Sequence, residues 1–174
     1  MVKRSIVRRP VSKPLAITCI CRYMAGMIEC KDIPAAPSFG CTCLRLRKAA
    51  RRITQIYDKH VEPFGLTITQ FGLLGHLRAH DGISIGELAE KLVMDPTTLT
   101  RNLRPLVRNG QVTMRPDPAD RRSRNLHLTD AGRDALRAAR PAWARAQRHV
   151  EEIFGGAETA GLNAALDRML DRFA

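Results

Sequence analysis

Residues 112–129 constrain the fold more than any other segment of this chain. Two pieces with strand character, Val112 to Arg115 and Ser123 to Leu128, flank a turn rich in proline and aspartate. Three arginines crowd the tip of that turn: Arg121, Arg122 and Arg124. Short strands joined this way pair as a β-hairpin. The segment therefore predicts a small hairpin whose cationic tip can approach a polyanion.

Apolar residues spaced by threes and fours predict helices on both sides of the hairpin. One such stripe runs from Cys41 to Val61 and should end at Pro63 and Gly65. Two capping boxes predict the starts of the next two helices: Thr67-x-x-Gln70 and Ser84-x-x-Glu87. We expect a mainly α fold with a small β element and find no internal repeat.

Capping residues and helix-breaking residues predict three further helices. Asp95 with Pro96 predicts the start of a fourth helix, and Gly110 suits its left-handed end. Thr129 begins a long fifth helix that Pro141 should kink, and Gly155-Gly156 separates it from a last helix. Pro105 inside the fourth helix should kink it or cost a hydrogen bond.

The charge of the chain favours a polyanionic partner. The formal net charge is +12 and the isoelectric point is near 10.4. Residues 1–27 contain six lysines or arginines and no acid, yet the rest of the chain still carries a surplus of +6. Such a surplus most often serves nucleic-acid binding through phosphate neutralisation. No apolar run is long enough to span a bilayer, so we expect a cytoplasmic protein and no membrane partner.

The fourth helix has the character of a DNA recognition helix. Leu99, Leu103 and Leu106 fall on one face, which leaves the opposite face polar and basic. Short polar residues at a helix start can enter the major groove, and arginine can bind guanine. The ordinary alternative is a solvated charged face. The predicted DNA-contacting residues of this helix are Thr97, Thr98, Thr100, Arg101, Asn102 and Arg104.

Several motifs in this chain resemble the MarR family of transcriptional regulators. They are Arg51-x-x-Thr54-x-x-Tyr57, Leu66-Thr67-x-x-Gln70, Thr98-Leu99-Thr100-Arg101, and the hairpin with Asp120-x-Arg122 before Leu128-Thr129. The resemblance implies a winged helix-turn-helix at residues 67–129, with dimerisation helices at 39–66 and 130–174. It also implies that Asp120 holds the hairpin loop while Arg121, Arg122 and Arg124 approach the minor groove. Gln111 departs from the family, which usually has an apolar residue there.

The same resemblance implies a functional scheme. A homodimer would bind a pseudo-palindromic operator in double-stranded DNA as a repressor. A small phenolic or aromatic ligand, or oxidation of a cysteine, would release it. The alternative that remains open is an architectural protein that binds DNA without sequence preference.

Cys43 and Tyr57 resemble the pair used by the organic-hydroperoxide-sensing branch of the family. There, a cysteine at the start of the first helix is oxidised, and a tyrosine from that helix hydrogen-bonds it. A helix start beside basic residues favours a reactive thiolate. Arg47 and Ile68 depart from the branch, which tends to have tyrosines there. The alternative is that Cys43 is a small buried hydrophobe.

Other chemistry is weakly supported by the sequence. Cys41-x-Cys43 and His76-x-x-x-His80 lack a third ligand, so we expect no metal and no cofactor. Gly82-x-Ser84-x-Gly86 matches a hydrolase elbow, but that motif needs a parallel α/β sheet, and Ser84 already has a capping role. We therefore expect no enzymatic activity.

Residues 1–38 form the least patterned part of the chain. They contain four prolines, a basic bias and no sustained period. We expect either a disordered basic extension or a natural start at Met24 or Met27. The intact mass of the natively expressed protein would decide between these.

Overall fold

The computed structural model describes residues 41–117 and 124–173. Within these residues the helices are α1 (Thr42–Val61), α2 (Ile68–Ala79), α3 (Ile85–Lys91), α4 (Pro96–Arg108), α5 (Asp130–Phe154) and α6 (Gly156–Phe173). The strands are β1 (Ile83–Ser84), β2 (Val112–Pro116) and β3 (Arg124–Leu128), and a 3-10 turn covers Glu62–Phe64. The predicted mainly α fold with a small β wing is confirmed. The predictions for residues 1–38 lie outside the described residues, and the division at 39–66, 67–129 and 130–174 stays a prediction.

The helices begin where their capping residues predicted. Thr67 Oγ1 accepts a hydrogen bond from the Gln70 backbone at 3.2 Å, and Gln70 Oε1 accepts one from the Thr67 backbone at 3.0 Å. Ser84 and Glu87 form the same reciprocal pair at α3. These bonds satisfy backbone N–H groups that a helix start leaves unpaired. Both predicted capping boxes are confirmed.

The later helix ends also match the expected residues. Asp95 Oδ1 accepts from Thr98 N at 3.0 Å, and Thr129 Oγ1 accepts from Gly132 N at 3.1 Å. Gly110 follows α4 in the left-handed region at φ 70°, where a residue without a Cβ is favoured. Pro105 and Pro141 lie inside α4 and α5, and neither proline ends its helix.

The three strands form one antiparallel sheet in the order β1-β3-β2. Val112 pairs with Leu128 at the base of the hairpin, and Pro116 pairs with Arg124 near its tip. β1 adds Ile83 opposite Leu126 on the other edge of β3. The sequence prediction missed β1, because two residues are too short to show a period. The hairpin therefore extends from a sheet that is continuous with the start of α3.

One leucine-rich core joins α2, α3, α4 and the sheet. Leu73, Leu74, Leu77, Leu88, Leu99, Leu103, Leu106 and Leu126 are all at most 1% exposed. The start of α5 closes this core through Leu136 and Ala139. Burial of such side chains is the main favourable term in folding, at about 1.5–3 kcal/mol for each. This core fixes which faces of α4 and of the hairpin remain outside.

Across the described ranges, no helix combines the length and apolar character that a bilayer crossing requires.

Candidate nucleic-acid interface

The outer face of α4 is an exposed polar and basic surface of the winged helix region, residues 67–129. Its three leucines are buried, so Thr97, Arg101 and Arg104 are held on the opposite, exposed side. A shallow groove of about 310 Å³ lies along this face. Its lining residues are Pro96, Thr97, Thr100, Arg101 and Arg104. The face thus presents short side chains near the helix start and guanidinium groups farther along.

Two other predicted residues of α4 are less available than their sequence position suggested. Asn102 is half-buried, and its Nδ2 donates to the carbonyl oxygen of Thr98 at 2.9 Å. That bond engages the amide with its own helix. Thr98 is exposed, and its backbone N–H is held by Asp95. Thr98 therefore remains beside the groove, whereas Asn102 would have to release a hydrogen bond to reach a base.

The hairpin places additional cations beside α4. Arg124 is exposed at the first position of β3, as the sequence predicted, and Arg115 is exposed one residue from the end of β2. Sequence reasoning did not select Arg115, although the hairpin register could have placed it near the tip. Asn125 donates to Asp117 at 3.3 Å where the strands separate. The predicted tip residues Asp120, Arg121 and Arg122 lie outside the described residues.

An acidic residue before β1 fastens the base of the hairpin. Asp81 Oδ1 accepts from the Leu128 backbone N–H at 3.1 Å, and Asp81 Oδ2 lies 3.2 Å from Nδ1 of His127. The hydrogen bond with His127 lowers the pKa of Asp81 against the opposing effect of burial, and the bond from Leu128 lowers this pKa further. The carboxylate form is thus favoured in the folded chain. Sequence reasoning missed this link because 46 residues separate Asp81 and His127.

Cys43 and Tyr57 do not meet within one chain. Both lie in α1, fourteen positions apart, which corresponds to about 21 Å of helix. The Tyr57 hydroxyl instead donates to Gln147 Oε1 on α5, and burial, followed by the charge of Glu151, raises the pKa of Tyr57. Because α1 is one uninterrupted helix, a single chain does not bring the two side chains together, and the redox role of Cys43 and Tyr57 stays a prediction. Cys43 itself is exposed in the first turn, not buried as the alternative supposed.

The described residues contain no group of three ligands that could hold a metal ion. Ser84 does lie where a strand leads into a helix, but the sheet is a small antiparallel one and its Oγ accepts from Glu87 N at 3.2 Å. The parallel α/β setting of a nucleophile elbow is absent from the three-stranded sheet that these residues form.

A wide apolar groove lies between α1, α5 and α6, away from the α4 face. Its volume is about 760 Å³, and Leu46, Ile53, Ile56, Val150 and Leu162 supply much of its wall. At its rim Ile153 is 64% exposed and Phe154 is 51% exposed. Exposed apolar patches of this kind mark interaction surfaces in water-soluble domains.

Comparison with known proteins points to one family. The family model of the MarR family matches residues 66–123. The repressor NicR of Pseudomonas putida is 33% identical over 121 residues, which cover 70% of this chain and 74% of NicR. The transcriptional activatory protein BadR of Rhodopseudomonas palustris is 36% identical over 92 residues, but the match spans only 53% of BadR and 51% of this chain.

A solved structure supports the same relationship at the level of the fold. The Mycobacterium tuberculosis regulator MosR in complex with DNA is 36% identical, with a TM-score of 0.61. The match covers 74% of this chain and 98% of MosR. The relatives named here are transcriptional regulators, a class of protein that is not enzymatic.

Because the Asp81 carboxylate holds the base of the hairpin, the free energy of unfolding should depend on pH. Because the pKa of Asp81 is lowered on folding, its contribution is present above the unfolded value and is lost as pH falls through the folded value. We expect Asp81→Asn to unfold at lower urea concentration than the parent near neutral pH. The difference should shrink below about pH 4, where the unfolded carboxyl gains its proton. Urea titrations followed by circular dichroism across a pH series measure this.

Asp134→Asn is the matched control, since among the described residues that exposed carboxylate forms an ion pair with Arg137 alone, on its own helix. It should change stability by far less. A difference between Asp81→Asn and the parent that stays constant down to pH 3 would contradict the assigned role of the carboxylate.

Proposed function

Because the chain belongs to the MarR family of winged helix-turn-helix, DNA-binding transcriptional regulators, we propose that it is a homodimeric repressor that binds a pseudo-palindromic operator. The observation that supports this most directly is the exposed face of α4, with Thr97, Thr100, Arg101 and Arg104 around one groove. NicR is a repressor and BadR an activatory protein. We favour repression because the longer of the two matches is to the repressor.

Base reading is assigned to the first two turns of α4. A helix of this width fits the major groove, and its N-terminal residues reach deepest. Arg101 can grip the O6 and N7 atoms of guanine with two donors, and the methyl groups of Thr97 and Thr100 suit contact with thymine. Thr98, Asn102 and Arg104 are assigned to the edges of this contact, with phosphates within reach of Arg104.

The hairpin is assigned to the minor groove beside the α4 site. Arg124 is exposed on β3, and the sequence adds Arg121 and Arg122 at the tip. A narrow minor groove has an enhanced negative potential that attracts arginine. Asp120 is assigned to the loop itself, because a carboxylate facing phosphates would be repelled. The attachment of β3 to Asp81 keeps the base of this hairpin fixed relative to α4.

The second copy is assigned to the apolar groove between α1, α5 and α6. Its apolar lining and the exposed Ile153, Phe154 and Phe173 give a surface that a lone chain leaves in water. The three helices come from the two ends of the described chain, as the predicted dimerisation regions 39–66 and 130–174 require. A two-fold dimer would place two α4 helices about one turn of DNA apart.

We propose two alternative triggers for release of the protein from DNA. A phenolic or aromatic ligand suits a pocket between the dimerisation helices and the winged helix region. Oxidation suits Cys43, which is exposed and lies in a helix that the dimer would bury in part. Since Cys43 and Tyr57 lie far apart on one α1, their contact would require the two subunits of the dimer.

Because the proposed partner is DNA, we assign the protein to the cytoplasm.

Replacing Arg101 should change base preference. On a DNA site selected from a random duplex library, we expect Arg101→Ala to cost about 1–3 kcal/mol of binding free energy and to relax discrimination at one position in each half-site. Arg121→Ala should weaken binding more evenly across sequences. Fluorescence anisotropy on the selected site and its single-base variants measures both effects.

Arg145→Ala on α5 removes the same charge from an exposed position outside both elements and serves as the control. It should bind as the parent does. If Arg101→Ala keeps the parent affinity and preference, the placement of α4 in the major groove is wrong.

The dimer assignment predicts a change of mass in solution. Ile153→Asp places a charge at the rim of the apolar groove, where a partner would have to bury it at high cost. We expect the parent to elute with the mass of two chains and Ile153→Asp to shift toward one chain, by light scattering after gel filtration. Val93→Asp is the control, because Val93 is 82% exposed in the turn before α4. A monomeric parent, or an Ile153→Asp variant that is as dimeric as the parent, would contradict the assignment.

The oxidation trigger depends on one sulfur atom. If it operates, organic hydroperoxide should abolish DNA binding by the parent and leave Cys43→Ser bound, as measured by anisotropy with and without reductant. Cys41→Ser is the matched control and should behave as the parent. Binding that survives oxidation in all three proteins would eliminate this trigger and leave the ligand.

A further inference from the structure

A second basic site lies where the end of α2 packs beside the start of α5. A cleft of about 230 Å³ opens there, and Leu136 forms part of its wall. Four arginines supply the rest of the lining: Arg78, Arg133, Arg137 and Arg140. None of these residues belongs to the α4 face or to the hairpin tip. The proposed DNA-reading function therefore leaves this concentration of charge without a role.

The arginines converge because of helix geometry. Arg133, Arg137 and Arg140 are spaced by four and three residues, which places them on one side of α5. Arg78 joins them from the last turn of α2. Like charges at these spacings destabilise a helix surface by a few tenths of a kcal/mol for each pair. Because the fold brings four arginines together, a bound anion would offset their mutual repulsion and stabilise this surface.

The acidic residues nearby neutralise this surface only in part. Arg133 is 3.0 Å from Asp130, and Arg137 is 3.1 Å from Asp134. The Asp130 side chain is 95% exposed and that of Asp134 is 67% exposed, so water screens both carboxylates strongly. Among the described residues, Arg78 and Arg140 have no carboxylate within ion-pair distance. The Asp81 carboxylate, 61% exposed, also interacts electrostatically with Arg133. Four guanidinium groups thus face three carboxylates that water screens, and the cleft keeps a net positive charge.

Two features prepare the cleft for an anion. Arg133 donates from Nη1 to the Leu128 carbonyl oxygen at 3.1 Å and from Nε and Nη2 to Asp130. These bonds hold the guanidinium plane and leave the second N–H of each terminal nitrogen for an anion. Leu136 is only 7% exposed and gives the cleft an apolar wall, next to which charges interact more strongly than in open water. The cleft volume of about 230 Å³ is enough for a small oxyanion.

We propose that this cleft binds a phosphate group. Guanidinium groups pair with phosphate through two parallel N–H···O bonds, and several arginines around one concavity suit a dianion better than a carboxylate. The phosphate belongs either to a free phosphorylated molecule or to the backbone of DNA that passes the side of the winged helix region. A bound phosphate would join α2 to α5, and thus the DNA-reading region to the helix that leads into the apolar groove.

The first experiment uses pyrophosphate as the probe of the free ligand. Thermal unfolding of the full chain is followed at constant ionic strength, with sodium chloride exchanged for millimolar pyrophosphate. Binding to the folded state alone should raise Tm with concentration. We expect Arg78→Gln/Arg140→Gln to lose half or more of that shift, and the single variant Arg140→Gln to lose a smaller part. The control Arg145→Gln/Arg148→Gln, which removes two exposed arginines from α5 outside the cleft, should keep the parent shift.

The second experiment tests the DNA backbone as the source. The salt dependence of binding to a mixed-sequence duplex is measured for the same variants. If the cleft holds DNA phosphates, Arg78→Gln/Arg140→Gln should reduce the slope of log K against log salt by about 1–2, and the control should not. A cleft-specific loss in either experiment supports the proposal and identifies the source. If the cleft variant and the control respond alike in both experiments, the proposal is wrong, whether or not the Arg101 test supports sequence-specific DNA binding.

Discussion

The burial of one leucine face of α4 is the constraint on which the rest of the structure depends. Leu99, Leu103 and Leu106 fit among the leucines of α2 and α3 and leave almost no surface exposed. Side chains keep fixed angular positions around a helix, so burial of this face determines the direction of the opposite face. Arg101 and Arg104 are exposed as a consequence of core packing. The burial of apolar surface that stabilises the fold therefore also leaves the basic face of α4 exposed.

The same core also determines the position of the hairpin. Val112, Leu126 and Leu128 are buried with the leucines, and β1 adds an edge that connects the sheet to α3. Asp81 then ties the base of β3 to the turn after α2 through the Leu128 backbone and His127. Two elements with independent sequence patterns, a basic helix and a cationic hairpin, are therefore packed against the same core. That relation is what a major-groove contact and a neighbouring minor-groove contact require.

The sequence was most informative where the responsible residues are close together along the chain. Capping boxes, the Asp95-Pro96 start and the Gly110 end depend on residues within one turn, and all are confirmed. The two-residue strand β1, the Asp81–His127 link and the arginine cleft each join distant segments, so no local period revealed them. A motif match gives no distance, and one continuous α1 keeps Cys43 and Tyr57 of a single chain apart. Their redox role stays a prediction.

Selection from a random duplex library tests whether this chain recognises a DNA sequence. Bound sequences would be recovered at physiological salt through several rounds, and affinity would then be compared between the consensus and a scrambled duplex. We expect an inverted repeat with half-site centres about 10 base pairs apart, bound at least roughly a thousandfold more tightly than the scrambled duplex. Recovery of no consensus, with equal affinity for both duplexes, would contradict the account and establish an architectural DNA-binding protein in its place.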